Sequence, residues 1–329
     1  MRVRIAVPVF FILIGCAAAQ TPATQKVATS PATKTSANKW RTPWGDPDLQ
    51  GSWSNATTTP LERPAKYGGR EFLTAAERDA IDTQTAIATD KREKRGTVED
   101  VEGAYNGAWW ERGRADGRTS LIYDPPDGRI PALTPQAQKR REEAARLDAS
   151  AENYAGQGSY SGPEDLEPYT RCIIRAPLPR ISTGYNNNYQ IVQSPGMVAI
   201  YQEQIHETRV IPLHGPAHLN RSVDQWLGDS RGHWEGDTLV VETTNFSDQA
   251  TFQGATKNMV LVERWTRASG DHIDYSFTVT DPETWTRPWS AKITWYKTGP
   301  LYEYACHEDN YGLYGILAGA RAKEKAAKH

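Results

Sequence analysis

His272-Ile273-Asp274-Tyr275-Ser276-Phe277-Thr278-Val279-Thr280 alternates polar and apolar side chains without a break. A period of two places Ile273, Tyr275, Phe277 and Val279 on one face of a strand and the polar residues on the other. One face meets a core and the other meets water, which is the signature of an antiparallel sheet. A second strand over 259–267 precedes it across Ala268-Ser269-Gly270-Asp271, so the two form a hairpin.

The same punctuation recurs outward from this hairpin. Residues 189–193 and 197–201 flank Ser194-Pro195-Gly196, in which Pro and Gly supply the turn angles. Residues 205–213 continue as a strand. Trp234-Glu235-Gly236-Asp237 turns into 238–243, and 290–297 pairs with 301–306 across Gly299-Pro300. About eight antiparallel strands at hairpin spacing predict a mainly β protein, either an antiparallel barrel of lipocalin-like type or a sandwich. The long strands and tight turns favour the barrel.

The N-terminal half adds a few surface helices. Thr74 with Glu77 is a capping box opening a polar helix towards Lys94, and Thr134-Pro135 opens a charged one that runs to about Ser150. Residues 119–123 read as a strand stopped by Asp124-Pro125-Pro126-Asp127-Gly128. Gly51-Ser52-Trp53 gives a Gly-x-Trp step, which in lipocalin-like barrels closes one end from the first strand. A helical tail starts near Leu317. Residues 40–320 are read as a single β-rich domain and 321–329 as a charged tail. With 11 Trp and 15 Tyr in the chain, aromatic burial carries much of the core.

The N-terminus reads as an export signal. Arg2 and Arg4 precede an apolar run over 5–15, too short for a bilayer span of about 20 residues. Leu13-Ile14-Gly15-Cys16 fits a lipobox that would lipidate Cys16, and Ala17-Ala18-Ala19 fits ordinary cleavage. The signal peptide is assigned to 1–19. Residues 20–39, rich in Thr, Ala, Ser, Pro and Lys, read as a disordered tether. The expected location is the periplasm or the outer membrane. Cys172 and Cys306 then remain as an even pair in an oxidising space, and a disulfide is expected. A formal net charge of −2 and the lack of a basic helix speak against nucleic acid.

Two polar clusters are candidates for chemistry. The first holds Glu203, His206, Glu207 and Arg209. On a continuous strand the two carboxylates and Arg209 share a face, offering a base, an acid and a cation for proton transfer at a bound carbonyl. The second is His307 with Glu308, beside Cys306. In this reading His206 shuttles the proton, Glu203 or Glu207 orients it, Arg209 holds an oxyanion, and His307 or Glu308 is the second acid–base group. The alternative for both clusters is a salt-bridged strand face. Asn187 and Asn188, Trp285 and Trp289 flanking Arg287, and Tyr311 are candidate ligand contacts. Gly and Pro between His214 and His218 remove the helical meaning of their spacing, so no metal is expected. Hydrolase-elbow, phosphate-loop and dinucleotide motifs are absent from the sequence, and no cofactor is expected.

The stretches YNNNYQIVQ (185–193), GDSRGHWEGDTLVVETTNF (228–246), TWTRPW (284–289) and YACHE (304–308) together resemble a large family of exported proteins of Gram-negative bacteria. The resemblance covers about 40–320. It implies export and a shared fold and brings no activity with it. The functional expectation is therefore a barrel binding a small aromatic or hydrophobic molecule. It is either an acid–base enzyme of lyase, isomerase or hydratase type or a non-catalytic binding or structural envelope lipoprotein.

Overall fold

Period-two alternation becomes one ten-stranded antiparallel sheet in the computed structural model, which describes residues 40–90, 111, 113–150, 160–308 and 310–327. The expected signal peptide, the expected tether and the candidate lipidation site Cys16 lie outside the described residues. The strands are β1 (Gly51–Ser54), β2 (Ile122–Asp124), β3 (Asn188–Ser194), β4 (Met197–Gln202), β5 (Thr208–Pro212), β6 (Asp229–Glu235), β7 (Thr238–Thr244), β8 (Val260–Arg267), β9 (His272–Thr280) and β10 (Trp289–Lys297). Nine of them follow the order β5-β4-β3-β1-β10-β9-β8-β7-β6, and β2 pairs with β10 beside that path. Two meanders, β3 to β5 and β6 to β10, are thus stitched together by the short β1. Helices α1 (Ala75–Asp90), α2 (Pro135–Ser150) and α3 (Tyr311–Ala326) accompany the sheet.

The sheet curls into a nearly closed barrel. Its end strands β5 and β6 meet through a single parallel bridge, Leu213 to Gly232, where His214 N–H donates to the Gly232 carbonyl at 3.3 Å. Gly232 permits that approach. A Cβ there would come within 2.8 Å of Leu213 Cδ2 and 2.9 Å of Ile211 Cγ2.

Inward positions follow the alternation. Leu261, Glu263 and Trp265 of β8, then Ile273, Tyr275, Phe277 and Val279 of β9, are all buried. Trp53, Trp265, Trp289 and Trp295 are fully buried, and Tyr189 stacks on Trp295 with ring centroids 4.5 Å apart. The Gly-x-Trp step falls on β1, with Trp53 buried in the core. Trp53 donates its indole N–H to the Leu49 carbonyl at 2.9 Å, and the Arg267 guanidinium lies 5.4 Å over its ring.

Several sequence expectations are corrected. No strand forms over 301–306, because Cys306 sits in a turn bonded to Cys172. β5 begins at Thr208, since Gln204–His206 form a 3-10 turn with Ile205 and His206 at positive φ. β6 is an additional strand, and the C-terminal helix starts at Tyr311, capped by Asn310, rather than near Leu317.

The Cys172–Cys306 bridge spans 134 residues, for which chain entropy gives about 5 kcal/mol. A pair so joined belongs to an oxidising compartment. Among the described residues no helix is long and apolar enough to cross a membrane.

The 55–60 and 113–120 segments lie together outside the sheet. There Thr57 Oγ1 donates to Asp116 Oδ2 at 3.3 Å, while Asp116 Oδ1 is buried without a partner. Burial pushes the Asp116 carboxyl up to about 6, against the pull of the Thr294 backbone, Thr57 and Lys292. A raised folded-state value means the protonated form is favoured on folding. This contribution to stability is full below the ordinary value near 3.8 and is lost as pH rises through about 6. Asp116→Asn is expected to flatten that fall between about pH 4 and pH 7, as read from urea midpoints across the range. An unchanged slope rejects the assignment. At the seam, Gly232→Val is expected to lower stability by about 1–3 kcal/mol in the same assay.

Candidate functional site

Alternation along β5 turns Arg209 and Ile211 inward together, which puts a guanidinium inside the barrel. Its charge is met from the facing strands. Arg209 Nη2 donates to Glu263 Oε2 at 2.5 Å and to Thr243 Oγ1 at 2.7 Å, and Nε donates to Ser230 Oγ at 2.9 Å. Tyr275 donates its hydroxyl to Glu263 Oε1 at 2.9 Å. Glu263 is 1% exposed. Burial drives the Tyr275 hydroxyl well above its ordinary value, and the Glu263 charge adds to the effect, so Tyr275 stays a donor. A second buried ion pair, Arg180 with Glu207, lies beside the first.

These groups line an inner chamber with Leu178, Tyr189, Ile200, Gln202, Leu227, Trp265 and Trp295. Its free volume is about 30 Å³. That is room for a water or two and excludes any organic ligand.

Outside this chamber lies a recess of about 350 Å³. Arg180, Tyr189 and Gln202 line both spaces and form the partition between them. One wall is the 175–187 segment, contributing Arg175, Pro177, Pro179, Ile181, Thr183, Asn186 and Asn187. Gln202 and Gln204 at the end of β4 make the second wall, and Thr251, Phe252 and Gln253 beyond β7 make the third. The recess therefore opens at the end of the barrel opposite the hairpins at 194–197 and 267–272.

The rim is held by a web of side chains. Arg175 Nε donates to Gln204 Oε1 at 2.6 Å and its guanidinium lies 5.0 Å over the Tyr169 ring. Asn310 Nδ2 donates to the Thr170 carbonyl at 2.7 Å, beside the disulfide. Asn186, Ile205 and Gln253 all take positive φ around this mouth. For β-branched Ile205 that conformation is costly, and its buried side chain holds it there. Burial takes the Arg180 guanidinium down to about 10, with Arg175 and Arg209 adding to the shift, so it remains charged at neutral pH. Burial pushes the Tyr189 hydroxyl up to about 12.

The acid–base constellation expected from sequence does not assemble. Glu207 and Arg209 face the inner chamber, each committed to an opposite charge. Glu203 is buried apart from them, accepting from Asn188 Nδ2 at 2.8 Å and Tyr302 N–H at 3.1 Å. His206 is exposed and lines neither space. Its Nδ1 lies 3.0 Å from the Tyr304 carbonyl, and its ring lies 6.5 Å from that of His307, which is exposed as well. Glu308 is also exposed. The physical reason is the 204–206 turn, which breaks the face that a continuous strand would have shared.

The expected ligand contacts divide in the same way. Asn187 lines the recess, whereas Asn188 is taken up by Glu111 and Glu203. Trp285 and Trp289 pack edge to face within the core, 5.7 Å apart. Arg287 does not lie between them but pairs with Asp124 outside, at 2.6 Å. Tyr311 is 77% exposed at the start of α3. Among the described residues no group of acidic, His or Cys side chains could hold a metal ion.

Sequence reasoning missed Glu263, Tyr275, Arg180 and Arg175. The first two were legible by parity, because each sits at an inward position among apolar neighbours. Arg180 and Arg175 carry no such signal, since they lie in irregular chain.

No family model matches this chain, and no curated protein matches it. Among solved structures, it is similar to a secretory abundant heat soluble (SAHS) protein from Ramazzottius varieornatus. The likeness has 13% identity and a TM-score of 0.23, and covers 34% of this chain and 70% of that one. At that score it carries no argument, and the barrel rests on its own strand ladders.

The buried pair is testable. Arg209→Met leaves Glu263 uncompensated and is expected to cost about 3–5 kcal/mol in urea unfolding. Adding Glu263→Leu is expected to recover more than half of that loss. Equal losses in single and double variants would refute the coupling.

Proposed function

We propose that this protein is an exported β-barrel binding protein that holds a small organic molecule in the recess at its mouth. The observation that carries the reading is the recess itself. About 350 Å³ falls within the range of small-ligand sites. Its walls combine apolar groups (Pro177, Pro179, Ile181, Phe252) with converging amide and guanidinium donors. Pockets of that make-up bury an organic body and fix its orientation through a few polar contacts.

Binding without turnover is the better-supported reading, in preference to a lyase, isomerase or hydratase. The histidines counted on for proton transfer lie outside the recess, and the interior carboxylates are held in ion pairs. Export is supported by the signal pattern of residues 1–19 together with the disulfide. We extend the proposal to membership in the exported Gram-negative family that the four motifs resemble, and to a tether through Cys16.

Thr251→Trp fills the recess from its rim without touching the inner ion pairs. In a thermal-shift screen of small aromatic and aliphatic compounds, wild type is expected to show stabilisation by ligands that mass spectrometry recovers unchanged. Thr251→Trp is expected to lose those shifts while melting within a few degrees of wild type. Retained shifts in this variant would place binding elsewhere, and a recovered product would replace binding with catalysis.

A further inference from the structure

We propose that the recess selects a small organic carboxylate, with Arg175 and Arg180 receiving its head group and the proline and Phe252 walls its apolar body. This rests on the ligand-binding reading above and adds the chemical class of the ligand.

The first support is the charge of the lining. Arg175 and Arg180 line the recess, and among the described residues no Asp or Glu does. The interior carboxylates are already matched, Glu263 by Arg209 and Tyr275, and Glu207 by Arg180. Arg175 is left over. Its contacts are the neutral Gln204 side chain and the Tyr169 ring, and among the described residues no carboxylate pairs with it. Among the described residues, recess and chamber together therefore hold one more guanidinium than carboxylate, and the excess sits on the open side.

The second support is an unpartnered buried donor. Arg180 is 7% exposed, and its Nη1 has no hydrogen-bond partner. The residue forms the partition, so it faces the recess as well as Glu207 behind it. A buried donor left unmet costs free energy that a ligand acceptor recovers. A guanidinium fork matches the planar, two-oxygen carboxylate, and charge-assisted bonds of this kind are about twice as strong as neutral ones.

A single negative charge fits better than two. One extra guanidinium balances a monoanion, whereas a phosphate dianion would leave a buried charge uncompensated. The apolar walls require an organic body and disfavour a bare inorganic ion.

The test uses the mature full-length chain and two ligand series, straight-chain and aryl carboxylates, each acid matched to its primary amide. Calorimetric titration is expected to give acids binding about tenfold or more tightly than their amides. Arg175→Gln is expected to erase that preference while keeping amide affinity, and Arg175→Lys to keep part of it. Circular dichroism melts confirm that both variants fold. Amides that bind as tightly as acids, or a preference unaffected by Arg175→Gln, would overturn the carboxylate inference and leave the binding reading in place. Failure of every acid and every amide to bind would overturn both. Inorganic phosphate competing as well as the acids would replace the carboxylate with a phosphoryl group.

Discussion

A sheet of nine staves that alternate in direction cannot close with an antiparallel ladder, because its two end strands run parallel. Here β5 and β6 touch through one bridge, and backbone pairing alone leaves that seam weak. Arg209 supplies what the seam lacks. From β5 it reaches Ser230 on β6, Thr243 on β7 and Glu263 on β8, and Tyr275 on β9 completes the shell around Glu263. One side chain thus ties the last stave of one meander to three staves of the other, and through Glu263 the tie extends to a fourth. Desolvating the charges is expensive, and the cost is tolerable only because so many of their hydrogen-bonding atoms are met.

That clamp shapes the site. The buried pairs fill the barrel interior until only a water-sized chamber remains. The ligand space is therefore displaced outward, to the irregular 175–187 segment and the 251–253 turn. The disulfide ties that segment to the chain beyond β10, and the Arg175–Gln204 bond ties it to the end of β4. A recess built from loops needs such staples, because loops alone do not hold polar groups in fixed positions.

The barrel was legible because its determinants are local. Alternation in 272–280 and the turn at 194–197 each act within a few residues, and both hold in the fold. The Cys172–Cys306 bridge followed from counting cysteines in a chain read as bound for an oxidising space. Errors fell where a local pattern met a non-local constraint. Residues 203–209 look like one strand, yet the chain turns at 204–206, so Glu203 and His206 part from Glu207 and Arg209. Trp285 and Trp289 look like a recognition pair, yet the core claims both indoles.

Period-two alternation and turn chemistry by themselves determined that this chain is an antiparallel β protein and which side chains face inward along β9, and an even cysteine count gave the disulfide. Those features depend on steric preferences of neighbouring residues and on counting. Only the tertiary structure decided which inward charges meet, because Arg209 and Glu263 lie 54 residues apart and are joined by barrel closure. It also decided where a ligand fits. The volume left beside Arg175 and Arg180 depends on how loops from three separate regions pack, and no sequence period encodes that.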